Sequence, residues 1–170
     1  MMGESTFLLG LQVKQLKDGT FISQTKYTKD LMKKFGTEEK SSVKIPMYTS
    51  TKMDMDADGK AVDQTRYRAL IGSLLYLTAS RSDITFVVGV CVRFQSAPKE
   101  NHMTAAKRIL RYLKEFQGVV LWYPKDGGFK LVGYSDSYYA GCRVDRKSTL
   151  GTCQMLGNRL VSWSRRNKIQ

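Results

Sequence analysis

Two features of this sequence are best placed to do chemistry: the cations Lys107, Arg108, Arg111 and Lys114, within two turns of a predicted helix, and Asp136, at the end of the apolar run in "LVGYSDSYYAG". The cations could hold successive phosphates of a nucleic-acid backbone, since such contacts need charge and donors but read no base sequence. Taken locally, the same pattern also fits an ordinary solvated helix face. Asp136 could bind a divalent metal, but two-metal hydrolysis needs several carboxylates around ions about 4 Å apart, so one ligand does not make a site.

Other motifs carry less. "DMDADG", residues 54–59, opens like a calcium loop, but the twelfth position is Thr65 where a bidentate Glu is needed, so it reads as an acidic, solvated linker. His102 is the only histidine and stands at a helix start, where a capping or surface role outweighs catalysis. Trp122 and Trp163 lie in apolar β-type runs and read as core. Cys91, Cys142 and Cys153 are odd in number and far apart, which suggests reduced thiols and neither a disulfide framework nor a zinc site. There is no Gly-x-Ser-x-Gly, phosphate loop or dinucleotide fingerprint.

The whole-chain charge favours the binding reading of the cations. Lys and Arg total 28 against 15 acidic residues, a net charge of +13, with the excess in the last two thirds. Such a chain suits a polyanion, nucleic acid first and an anionic membrane surface second, because bound phosphates release condensed counterions. The N-terminus has no basic segment before its short apolar run, and nothing has the length of a bilayer span. The expectation is an intracellular chain, cytoplasmic or nuclear, without a signal peptide and without a membrane partner.

These residues need elements to position them. At 170 residues the chain suffices for one modest domain or two small lobes. Apolar segments flank "KDGT", where Asp18-Gly19 is a hairpin signal. A helix is predicted over 27–35, with Tyr27, Leu31, Met32 and Phe35 on one face and Gly36 as its stop. Residues 37–62 are polar and aperiodic and read as a long exposed linker. Residues 65–78 form a helix too apolar to be free, and 84–94 a second apolar segment, helical or, given its valines, a strand, with Ser82 or Asp83 as cap. An amphipathic helix over 99–116 carries the cations, and from Gly118 short β-type runs follow.

Taken together, "FLLGLQVKQLKDGTFISQTKYTKDLMKKFG", "YRALIGSLLYLTASRSDITFVVGV", "AAKRILRYLK" and "LVGYSDSYYAGCRVDRKSTLGTCQMLGNRLVSWS" closely resemble the Pol polyprotein of plant copia-type retrotransposons, in the same order and over nearly the whole chain. The fold this resemblance implies is α+β: a palm-end hairpin and helix of reverse transcriptase in residues 1–36, a linker at 37–64, a helical thumb and connection at 65–117, and an incomplete ribonuclease H-like antiparallel sheet at 118–170.

By the same resemblance Asp136 matches the first metal ligand of ribonuclease H, whose Mg²⁺ site takes further carboxylates from beyond the third strand. After Asp136 the only acidic residue here is Asp145, and "SYY", with Tyr138 and Tyr139, stands where relatives often have a further Asp and an aromatic. The expectation is therefore a metal site only if another chain completes it, and no cofactor for this chain alone. The polymerase signature Tyr-x-Asp-Asp is not among these residues, so although the parent family is an RNA-directed DNA polymerase and ribonuclease H, this chain alone is expected to lack catalysis. Weak, salt-sensitive binding to an RNA/DNA hybrid or other nucleic acid is expected, with exposed apolar surface open to the remainder of the polyprotein or another protein. Arg108-Ile109-Leu110-Arg111 also matches the Arg-x-Leu-Arg tag of secreted oomycete effectors, which gives an effector-like interaction protein as the alternative.

Overall fold

A computed structural model of the chain describes residues 7–8, 10–48, 53–138 and 149–167. Its described elements are four α-helices and two antiparallel sheets, and the chain divides into two units, Met1–Ser23 with Val120–Gln170, and Gln24–Val119.

The first unit holds both sheets. One has strands β1 (Phe7–Leu8), β2 (Leu11–Leu16), β3 (Gly19–Ser23) and β4 (Leu121–Pro124), hydrogen-bonded in that order. The β2–β3 hairpin forms as its sequence suggests, but it turns on Lys17–Asp18, with Leu16 opposite Gly19, and not on Asp18-Gly19. Gly19 is needed for close approach instead. It faces Pro124, and a Cβ there would overlap the Tyr123 carbonyl and the Trp122 ring. Two pairs further on, Phe21 meets Trp122 with ring centroids 4.2 Å apart. Residues 121–124 therefore complete the sheet of the N-terminal hairpin, whereas the sequence reading grouped them with the strands that follow.

The other sheet is a meander of β5 (Leu131–Tyr138), β6 (Thr149–Leu156) and β7 (Arg159–Asn167). Gly157–Asn158 joins β6 to β7, with Gly157 at φ +61, the arrangement of a two-residue loop that requires glycine first. Arg159 anchors the preceding loop by donating from Nε to Pro124 O (2.7 Å), from Nη2 to Lys125 O (2.8 Å) and from Nη1 to Gly128 O (3.0 Å). Leu131 and Tyr134, on opposite faces of β5, are 68% and 60% exposed, in line with an uncovered sheet.

The second unit is helical: α1 (Thr25–Lys34), α2 (Gln64–Leu77), a 3-10 turn (Ser82–Ile84), α3 (Thr85–Val92) and α4 (Glu100–Glu115). Gly36, at φ +64, follows α1, as a left-handed residue after a helix end should. The Asp63 carboxylate caps α2, accepting from the Thr65 and Arg66 N–H groups at 2.8 and 3.2 Å. Tyr67, Leu70, Ile71, Leu74 and Leu77 of α2 are fully buried against Leu31, Met32 and Phe35 from α1 and its end, Val87, Val88 and Cys91 of α3, and Ala106, Ile109, Leu110 and Leu113 of α4. α1 thus shares the helical core.

Asp83 does not cap the apolar segment after it, as the sequence reading allowed. Its carboxylate accepts from the buried Arg81 guanidinium at 2.9 and 2.6 Å and from the Tyr112 hydroxyl at 2.9 Å. Residues 37–48 and 53–62 contain no helix or strand beyond one bridge, Ala61 opposite Lys99. They are nevertheless tied to α4, and that tie decides the character of the candidate site.

Candidate nucleic-acid interface

The site is built on α4. Burial of Ala106, Ile109, Leu110 and Leu113 fixes one side of this helix in the core, which leaves Lys107, Arg108, Arg111 and Lys114 partly exposed on the remainder. Glu100 in the first turn and Lys114 in the last both suit the helix dipole.

Three of the four cations bond to the polar segment. Lys114 Nζ donates to Glu38 O at 2.6 Å and Lys40 O at 3.0 Å. Arg111 donates from Nε to Ser41 O at 2.7 Å and from Nη2 to Ser41 Oγ at 3.0 Å. Arg108 donates from Nε to Ile45 O at 3.1 Å, and its guanidinium carbon lies 3.8 Å from the Tyr48 ring centroid. In return, Val43 N–H donates to Arg111 O at 3.3 Å. All these acceptors are neutral, so the bonds fix the side chains and leave their charge intact.

Lys107 stands in the same field. Burial, together with the positive charges of Arg66 on α2 and Lys40 on the polar segment, holds its ammonium below the ordinary lysine range. None of the four cations forms an ion pair with a described carboxylate.

His102 is fully buried and has the capping role that its position suggested. Its Nδ1 accepts from Lys99 N–H at 3.0 Å, so the proton lies on Nε2, which donates to Asp54 O at 2.7 Å, and the ring stacks on Phe94 at 4.0 Å. In the "DMDADG" stretch the carbonyls of Ala57 and Gly59 accept from Lys99 Nζ at 3.3 and 2.8 Å, which ties the stretch to the start of α4. Trp122 packs on Phe21, and Cys91 is buried, which pushes its thiol up to about 12.

Asp136 lies on β5, exposed and opposite Gly151. Among the described residues no group of three or more His, Cys, Asp or Glu side chains could hold a metal, so the donors present do not fit a two-metal centre. Tyr139, Cys142 and Asp145 lie outside the described residues, as does the side chain of Tyr138. No described helix is long and apolar enough to cross a membrane. The sequence reading found the four cations but missed their acceptors, because main-chain carbonyls have no residue signature.

No family model and no solved structure matches the chain. Its sequence is 35% identical to the retrovirus-related Pol polyprotein from transposon RE1 of Arabidopsis thaliana, over 95% of this chain and 11% of that protein. It is 32% identical to an uncharacterized mitochondrial protein of Arabidopsis thaliana, over 96% of this chain and 68% of that protein. It is 41% identical to secreted RxLR effector protein 161 of Plasmopara viticola, over 57% of this chain and 69% of that protein. The chain thus spans about a tenth of the length of the Pol polyproteins it matches. With this similarity running through nearly every residue, the chain belongs to the family of retrovirus-related Pol polyproteins of copia-type transposons.

Proposed function

We propose that this chain is a segment of a copia-type reverse transcriptase and ribonuclease H polyprotein whose helical unit binds the backbone of an RNA/DNA hybrid, or of other nucleic acid, without reading sequence. One observation carries the reading: Lys107, Arg108, Arg111 and Lys114 occupy one helix, and the bonds they make leave their charge uncancelled. In this assignment α2, α3 and α4 correspond to thumb and connection helices, and the β2–β3 hairpin with α1 to the end of the palm. The β5–β6–β7 meander corresponds to the start of ribonuclease H. A hybrid partner implies action inside the cell, in cytoplasm or nucleus.

Asp136 is the residue that the family's motif would make a ligand for Mg²⁺. A working centre would draw its other carboxylates from outside the described residues, by contribution of another chain or of the remaining polyprotein. Hybrid cleavage by this chain alone is not expected.

The test is binding of the purified chain to a labelled RNA/DNA hybrid across a salt series with Mg²⁺, with both strands checked for cleavage. Affinity should fall steeply with salt, and Lys107→Ala should flatten the slope of log K against log salt by about 1. Asp136→Asn should bind as well as the parent chain. Affinity indifferent to salt would sink the backbone reading, and cleavage lost in Asp136→Asn would overturn the expectation of inactivity.

A second reading, an effector-like interaction protein, draws on the similarity to the Plasmopara viticola effector. The Arg108–Arg111 tag lies inside α4 with Ile109 and Leu110 buried, which opposes its use as an exposed linear signal.

A further inference from the structure

We propose that residues 38–48 are a positioning segment of the nucleic-acid face: their carbonyls and the Tyr48 ring hold Arg108, Arg111 and Lys114 at fixed stations, and Lys40 adds a cation to the face. This rests on the binding role proposed above.

The acceptors argue for positioning over blocking. A segment that mimicked nucleic acid and closed the face would set carboxylates against the cations. This one carries Glu38 and Glu39, yet what it offers Lys114 is the carbonyls of Glu38 and Lys40, and neither glutamate forms an ion pair with Arg108, Arg111 or Lys114. With Lys40 and Lys44 included, the segment has no net charge. Long cationic side chains lose much rotamer freedom when a ligand immobilises them. Neutral acceptors that immobilise them beforehand remove that cost and leave the charge for the ligand.

The segment is itself held, as a template must be. Thr37, fully buried, donates its N–H to Met32 O at 2.9 Å, Val43 N–H reaches Arg111 O, and Met47 packs on the helical core. Next to the last of these points, Tyr48 is half exposed and supplies a flat surface for the Arg108 guanidinium.

The experiment compares hybrid binding by the full chain with that of Ser41→Ala/Tyr48→Ala, Tyr48→Phe and Arg108→Lys, across the same salt series. The double variant removes no charge, so its affinity should fall about three- to tenfold with an unchanged salt slope. Tyr48→Phe keeps the ring and should bind like the parent, whereas Arg108→Lys keeps the charge, loses the planar stack and should weaken with the slope unchanged. Because Tyr48 and Ser41 are surface residues, far-ultraviolet dichroism should match the parent; should the double variant not fold, Arg108→Lys alone decides. Unchanged or tighter binding by the deciding variant overturns the inference, tighter binding meaning that the segment competes with nucleic acid. A flattened slope overturns it as well. If the parent chain itself fails to bind hybrid at low salt, the binding role falls and this inference with it; parent binding with an indifferent variant rejects this inference alone.

Discussion

At the scale of single residues, Asp83 joins charge to stability. Burial alone would raise its carboxyl, but the hydrogen bonds and charge of Arg81 and the hydroxyl of Tyr112 outweigh it and hold the group below the ordinary carboxylate range. A carboxyl lowered in the folded state stabilises the fold at any pH above its unfolded value, near 4, and that contribution is lost as pH falls through the folded value. Asp83→Asn should therefore cost about 1 kcal/mol at neutral pH. Its urea midpoint should also decline less than the parent's below pH 4; parallel acid limbs would assign the acid sensitivity elsewhere. Sequence reading allowed Ser82 or Asp83 as a cap, because Ser-Asp before an apolar run is a common helix start. What it could not weigh was Arg81, whose burial arises only once α4 brings the Tyr112 ring and the Phe116 carbonyl alongside.

At the scale of elements, local signals served where the partner is local. The α1 stop at Gly36 and the apolar spacing of α2 and α4 act within one or two turns, and each was legible. Gly19 was not, because its role is set by a strand about a hundred residues away. Gly19→Ala should destabilise the first sheet by roughly 2 kcal/mol, since its Cβ would meet the Tyr123 carbonyl and the Trp122 ring. A urea midpoint equal to the parent's would show that β4 can shift to make room. The polar segment 37–62 is the complementary case. Its described residues, 37–48 and 53–62, hold no helix or strand beyond one bridge, yet residues 38–45 are pinned by side chains sixty-three to seventy-six residues away. For the same reason the cations were legible as residues but not as a preset array.

At the scale of the whole molecule, α2, α3 and α4 follow one another directly in sequence, whereas pairing β3 with β4 must close a loop of almost a hundred residues. Non-local pairing is slow relative to helix formation. On a Trp163→Phe background, the fluorescence of Trp122 should therefore reach its native value later than far-ultraviolet dichroism during refolding. Coincident single phases would mean that sheet and helices condense together.

The antiparallel β3–β4 pair has one more consequence. Ile22 lies opposite Leu121, so the chain leaves the first sheet and returns to it on neighbouring strands. In covalent terms the helical unit is an insertion at the tip of a hairpin, with its two attachment points one strand spacing apart, about 5 Å. Such an insertion is detachable in principle: joining Ser23 to Val120 through a short turn would leave an unbroken meander, and would free the cation-bearing helices to be made by themselves.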